Sequence, residues 1–429
     1  MDGQLKPGTL LISESQSVYE VVSLLGTGGQ GEVYDVICGG HHFALKWYYP
    51  HMATKQQKEL IDNLIMKGSP SPSFLWALDM IFTEYGKSFG YIMPLRPQNY
   101  KGIVDMMKRR VEPSFLTLCK AAFELTKGYQ KLHEMGYSYR DISFGNVFFD
   151  PDTGDVLICD NDNVSANGLD NASVYGTPRF MAPEIVVGKA IPSRNTDLYS
   201  LAVLLFYMFM MGHPLEGKLE ADIKCMDILA MNQIYGSDAL FVYDPDDKKN
   251  RPVPGYQDNV IIFWGLYPKS LRDLFTRAFT VGLKSPGSRV TEQEWLDEMT
   301  SLLSGIISCP DCGAEVFYDA SETTVPCWSC HSDVPIPVSL SIGKLNIMIQ
   351  KHSQIVSQQL FNDHDIKTVV GTVTQNPQNP DLWGIRNDSR NPWVYIKPDG
   401  TQKPVPVGKN AAIARGVRID FGGIVGEFK

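Results

Sequence analysis

Asp141, Asn146 and Asp160 are the residues of this sequence best placed to do chemistry. Asn146 lies five residues after Asp141 and Asp160 fourteen after Asn146, in the stretches YRDISFGNVFFD and VLICDND. In-line phosphoryl transfer asks for a carboxylate that accepts or orients a hydroxyl proton. It also asks for an amide oxygen and a second carboxylate that hold magnesium on the phosphates. The trio supplies one of each, with Asp141 as proton acceptor and Asn146 and Asp160 as metal ligands.

A phosphate cradle stands upstream. Gly26-Thr27-Gly28-Gly29-Gln30-Gly31-Glu32-Val33 fits a strand-turn-strand whose backbone N–H groups lie over phosphates, where side chains would hold the backbone away. Dinucleotide sites share this spacing, but there a helix follows the glycines, whereas GEVYDVI continues as a strand. Lys46 in FALKWY, fifteen residues past Gly31, suits the α and β phosphates. Taken by itself it reads rather as an ordinary edge-strand lysine.

Two kinds of element must hold these groups. Residues 17–95 alternate β-branched or aromatic side chains with Gly and polar breaks, and one helical stretch from about Thr54 to Lys67 interrupts them. A small sheet with one helix is expected. From Asn99 to about Ile307 helical periods dominate, as in PSFLTLCKAAFELTKGYQKLHEMG and TDLYSLAVLLFYMFMMG, with the acidic motifs in loops. The apolar run Leu198 to Met211 is shorter than a bilayer requires and reads as a buried helix. After Ser308 a compact cysteine unit begins, and from about Val338 strands and Gly/Pro/Asn turns prevail.

Over about residues 15–305 these motifs resemble those of protein kinases, in particular bacterial Hanks-type (eukaryotic-like) serine/threonine kinases. The resemblance implies a bilobal α+β catalytic domain that uses ATP and magnesium. Asp141 and Lys46 would be catalytic, and Gly26 to Gly31, Val33, Ala44, Met93, Leu95, Asn146 and Asp160 would surround the nucleotide. It implies Glu59 as the helix partner of Lys46, although the register of that helix also allows Glu59 to sit on a solvated face. The segment ending YGTPRFMAPE resembles a kinase activation segment. Within it Thr177 would stand beside Asp141 and favour Ser or Thr hydroxyls over Tyr. Ser173 takes the usual place of an activating phosphosite, with Tyr175 and Ser165 as lesser candidates, and Arg140 would bond the phosphorylated segment. Ser173 also reads as a solvated loop serine. Asp197 would anchor the catalytic loop, and Arg289 would pair with Glu184 to pin the activation segment.

Three departures from the family pattern stand around the trio. Tyr139 replaces the usual His, and Ser143 replaces a lysine that touches the γ-phosphate. Asp160-Asn161-Asp162 replaces Asp-Phe-Gly, which keeps the metal ligand but loses the Phe and Gly on which switching by a loop flip depends.

The 429 residues exceed one ordinary core. A net charge of −9 offers no general basic surface, so neither nucleic acid nor membrane is an expected partner. The start MDGQLKPGTL has no apolar signal core, and a reducing cytoplasm is expected. Cys309-x2-Cys312 and Cys327-x2-Cys330, fourteen residues apart, have the spacing of two zinc knuckles, since tetrahedral zinc takes four thiolates from two tight turns. With no open position such a metal is structural; His331 is read as a bystander.

The final ninety or so residues resemble a forkhead-associated β-sandwich. Phosphothreonine readers of that family carry an arginine after a glycine and a Ser-x-x-His. Here Thr372 follows Gly371 and no clear Ser-x-x-His follows, so a packing or partner-docking domain is the stronger reading. The expected organisation is an N-terminal extension (1–14), a β-rich kinase N-lobe (15–95), a helical C-lobe (96–305), a zinc ribbon (306–337) and an all-β sandwich (338–429). The arrangement is similar to kinases that accompany a metal-dependent phosphatase and a von Willebrand A-domain protein in bacterial stress-resistance clusters, which implies those partners beside protein substrates. Two other readings stand: a pseudokinase scaffold that binds nucleotide and partners, and a small-molecule phosphotransferase, against which the activation-type segment speaks.

Overall fold

The computed structural model describes residues 3–82, 88–168, 175–318 and 323–429, so Ser173 lies outside the described residues. The described chain divides into two compact units. The first comprises residues 1–113, 124–257 and 276–292, and the second 114–123, 258–275 and 293–429.

A six-stranded antiparallel sheet opens the first unit. Its strands are β1 (Leu10–Ile12), β2 (Val18–Thr27), β3 (Gly31–Cys38), β4 (His41–Tyr48), β5 (Asp79–Phe82) and β6 (Phe89–Pro94), in the order β1-β2-β3-β4-β6-β5. Alternation builds its core: Tyr34 and Val36 on β3 and Leu45 and Trp47 on β4 are buried together with Ile81 and Ile92. Leu10–Ile12, within the expected N-terminal extension, belong to this sheet, because β1 pairs with β2 from Leu10↔Glu20 to Ile12↔Val18. One helix, α1 (Lys55–Lys67), accompanies the sheet; the Thr54 hydroxyl caps it by accepting from the Gln57 N–H, and Gly68 ends it at φ +75°.

Helices dominate the rest of the first unit. The apolar run is a helix, Arg194–Met210, in which every residue from Thr196 to Met210 is buried. No described helix is long and apolar enough to cross a membrane. A short hairpin, Val147–Phe149 with Val156–Ile158, separates the two acidic loops.

In the second unit, two small hairpins (Ile306–Ser308 with Glu315–Phe317, Thr324–Pro326 with Asp333–Pro335) carry the cysteine pairs in their turns. An all-β region follows, with one sheet of six strands and one of four. Both face one core in which Leu340, Ile355, Ile385, Trp393, Ile419 and Phe428 are buried.

Candidate active site

The turn between β2 and β3 is closed by the Gly28 N–H donating to the Gly31 carbonyl at 2.8 Å. Gly31 is required by close packing, since a Cβ there would lie 2.2 Å from the Trp47 carbonyl oxygen of β4. Nothing lies within 4 Å of a Cβ placed on Gly29. Its missing side chain therefore clears space outside the protein rather than inside it, as a phosphate cradle requires. Gly26 and Thr27 pair with Val33 and Glu32 across the turn, and Ala44 on β4 pairs with Met93 on β6, just before Leu95.

Lys46 stands opposite Val33 on one side and Tyr91 on the other, and is 5% exposed. Its ammonium donates to Gln30 Oε1 (3.1 Å) and Asp160 Oδ1 (2.9 Å) and lies 2.8 Å from Asp162 Oδ2. Burial alone would lower its pKa, but the Asp162 and Asp160 carboxylates raise it above the ordinary lysine value. Lys46 is therefore held fully charged.

Glu59 does not meet Lys46, and that expectation is corrected. Its side chain is 62% exposed and sits 3.6 Å from Lys55 one turn back. The inward face of α1 is set by Ile61 and Leu64, both buried, and one turn before Ile61 that face presents Gln57. Gln57 Nε2 donates to the Tyr48 hydroxyl (3.1 Å) and to the Asp162 carbonyl (3.2 Å).

Asp197, buried in the long apolar helix, accepts from the backbone N–H groups of Tyr139 (2.6 Å) and Arg140 (3.0 Å). Those bonds hold Arg140 in the left-handed region at φ +73°, which a long side chain rarely adopts. The Tyr139 hydroxyl donates to the Cys159 carbonyl and so ties this loop to the residue before Asp160. A second tie runs from the Cys159 N–H to the Asn146 carbonyl at 2.9 Å.

Between these ties lies Asp141. Thr177 Oγ1 donates to Asp141 Oδ1 at 2.7 Å, and Asn146 Nδ2 donates to the Asp141 carbonyl (2.9 Å) and to Oδ2 (3.2 Å). Burial raises the Asp141 pKa above the ordinary carboxylate value, partly opposed by the Thr177 and Asn146 hydrogen bonds. Because the Asn146 nitrogen is committed to Asp141, its oxygen is left for a cation. With the Asp160 carboxylate, 44% exposed, the donor set is two hard oxygens, which suits magnesium.

Asp160 adopts φ +57°. Asn161 donates from Nδ2 to the carbonyls of Leu75 (2.9 Å) and Ile158 (3.2 Å), so the loop is fastened by hydrogen bonds where an aromatic ring was absent from the sequence. Gln30 Nε2 reaches Asn163 Oδ1 at 3.3 Å and joins the glycine turn to the same loop. Arg289 forms a bidentate pair with Glu184, two bonds of 2.8 Å, and also donates to the Asn195 and Gly282 carbonyls.

Residues absent from the sequence reading also meet here. His133 bridges Asp197 (3.0 Å) and Glu292, and Arg194 forks onto Glu292 (3.1 and 2.7 Å). His133 sits in the last turn of a helix that reads as amphipathic, and no local motif marks its partners.

In the second unit the four cysteine sulfurs all lie within 4.8 Å of one another, and Cys309–Cys330 and Cys312–Cys327 are 3.6 Å apart. A tetrahedron with zinc–sulfur bonds of about 2.3 Å has edges of about 3.8 Å, so the cage fits zinc. The two turns match: Gly313 N–H donates to the Cys309 carbonyl and His331 N–H to the Cys327 carbonyl, each with a positive φ. His331 serves the turn. In the all-β region the Thr372 hydroxyl donates to Asp388, which is also paired with Arg386.

The model of the protein kinase domain matches residues 19–299. The chain belongs to the protein kinase family. Its β-rich N-lobe and helical C-lobe are those of the kinase fold, and an all-β region follows them. It is similar to the DNA damage-responsive serine/threonine-protein kinase RqkA of Deinococcus radiodurans, 29% identical over 228 residues that make up 51% of this chain and 33% of the relative. It is also similar to the serine/threonine-protein kinase ste20 of Aspergillus fumigatus, 26% identical over 50% of this chain and 26% of the relative. Protein kinase C-like 1 of Candida albicans is 36% identical over 24% of this chain and 9% of its own length. In each case the chain spans less than two thirds of the relative's length.

Proposed function

We propose that the chain is a protein-serine/threonine kinase that moves the γ-phosphoryl group of Mg-ATP to Ser and Thr hydroxyls of proteins, itself included. The observation that carries this reading is the bonding of Asp141 to both Thr177 and Asn146, with Asn146 tied through Cys159 to the loop that holds Asp160 against Lys46.

When bound, magnesium and ATP supply the phosphoryl group and the charge neutralisation its transfer needs. Asp141, its basicity raised by burial, accepts the proton of the incoming hydroxyl, and Thr177 and Asn146 fix the carboxylate's direction. Asn146 and Asp160 offer the oxygens for magnesium. Lys46 would hold the α and β phosphates, and Val33, Ala44, Met93 and Leu95 would line the base. Ser143 brings no positive charge, so the cradle relies on Lys46 and the metal. Arg140 would bond the phosphorylated activation segment, and the Glu184–Arg289 pair pins it.

Cys309, Cys312, Cys327 and Cys330 would hold a zinc ion that would fasten the two hairpins, and the final sandwich would serve docking rather than phosphothreonine reading, since Thr372 stands where a reader carries its arginine and is engaged with Asp388. A cytoplasmic role in bacterial stress signalling agrees with the similarity to the DNA damage-responsive kinase of Deinococcus. The phosphatase and von Willebrand A-domain partners rest on resemblance alone. Incubation with γ-labelled ATP, magnesium and a generic protein tests the activity. Label is expected on protein with the wild type and absent with Asp160→Ala; ATP binding without transfer by the wild type would replace this reading with the pseudokinase scaffold.

A further inference from the structure

We propose that Asp162 is the positioning residue for Lys46, replacing the glutamate that α1 lacks on its inward face. The inference rests on the nucleotide-binding part of the kinase reading above. All three donors of Lys46 have an acceptor, but the acceptors differ in kind. Gln30 belongs to the glycine turn and Asp160 is 44% exposed, so both are free to exchange when a nucleotide and metal arrive. The Asp162 side chain is 0% exposed.

Asp162 is held from several sides. Tyr48 donates its hydroxyl to the same oxygen that faces Lys46, and Gln57 donates to the Asp162 backbone carbonyl. Among the described residues Asp162 Oδ1 has no hydrogen-bond partner. A buried carboxylate so incompletely solvated is stable only beside a cation, and Lys46 is that cation. The helix meanwhile turns a neutral amide, Gln57, toward Tyr48 and the Asp162 carbonyl, and its own Glu59 is exposed beside Lys55. The negative charge has moved from the helix to the loop that also carries Asp160. Orientation of Lys46 is then set by that loop, and no swing of α1 is needed to complete the pair.

Calorimetric titration of the full chain with Mg-ADP, which engages the phosphates that Lys46 serves, reads this out without catalysis. Asp162→Asn is expected to weaken Mg-ADP binding about tenfold, and Lys46→Met by a similar factor. The double variant should be no weaker than Lys46→Met alone, because two residues acting as one unit are not additive, whereas a merely structural Asp162 would weaken both backgrounds alike. Glu59→Gln, an exposed change that leaves the fold intact, should bind as the wild type does. Wild-type affinity in Asp162→Asn, equal weakening in both backgrounds, or a tenfold loss in Glu59→Gln would each overturn the proposal. Should Asp162→Asn not fold, Glu59→Gln decides it, with unchanged binding in support and a tenfold loss against. A wild type that binds Mg-ADP but transfers no phosphate would instead fail the kinase reading and leave this one standing.

Discussion

Thr177 Oγ1 and Asp141 Oδ1 are 2.7 Å apart, a hydrogen bond that joins the activation-type segment to the acidic loop 36 residues earlier in the chain. It makes the direction of the Asp141 carboxylate depend on whether that segment is in place.

Thr177→Ala removes this bond without adding bulk. A hydrogen bond to a charged group is worth about 1.5–3 kcal/mol, so kcat for phosphate transfer should fall by roughly ten- to a hundredfold. Steady-state rates with Mg-ATP check this, with the thermal midpoint as control. Thr177→Ser should retain most of the activity.

Stability should depend on pH through His133 and Glu292. Burial opposes the charge on His133, but its bonds to Asp197 and Glu292 raise its pKa to about 9, so its contribution is complete below 6.5 and is lost as pH rises through about 9. For Glu292, burial acts upward while His133 and Arg194 lower its pKa to about 2, so its contribution is complete above 4.5 and is lost as pH falls through about 2. Thermal midpoints should therefore be highest between pH 4.5 and 6.5 for this network. The gap between wild type and His133→Gln should shrink toward pH 9 and beyond; a gap that widens there would reverse the assigned sign.

Arg289→Ala leaves Glu184 without its fork and strands the Asn195 and Gly282 carbonyls. The cost should be about 3–5 kcal/mol in denaturant unfolding. Arg289→Lys should recover only part of it, because an ammonium cannot reproduce the two parallel bonds.

The four-cysteine cage should contain one zinc ion per chain, released in step with modification of its thiols. Metal analysis of the purified protein and a mercurial titration followed with a zinc indicator measure both. Cys312→Ser should lower the zinc content and the thermal midpoint together; a protein isolated without zinc whose stability chelators leave unchanged would exclude a structural metal.

What was most legible in the sequence was placement fixed by local spacing: the glycine turn, Lys46 in its strand, Asp141 with Asn146, and the paired cysteines. What it hid was set by packing. Glu59 was the nearest acidic residue on α1, yet burial of Ile61 and Leu64 rotates it to solvent. The spacing of Gln57, Ile61 and Leu64, four residues and then three, was the available signal. Asp162 read as the loss of a flexible glycine, because nothing local shows that a loop aspartate will lie beneath a strand lysine 116 positions earlier. Leu10 to Ile12 looked like a tail because three residues are too few for a period, and their pairing with β2 is what makes them a strand.

The role of Asp141 is decided by transfer of γ-labelled phosphate from Mg-ATP, compared between the wild type and Asp141→Asn. Labelled Ser or Thr is expected with the wild type, with a loss of at least about a hundredfold in the variant, since general-base catalysis contributes roughly a hundred- to ten-thousandfold. Equal labelling by both proteins would contradict that role.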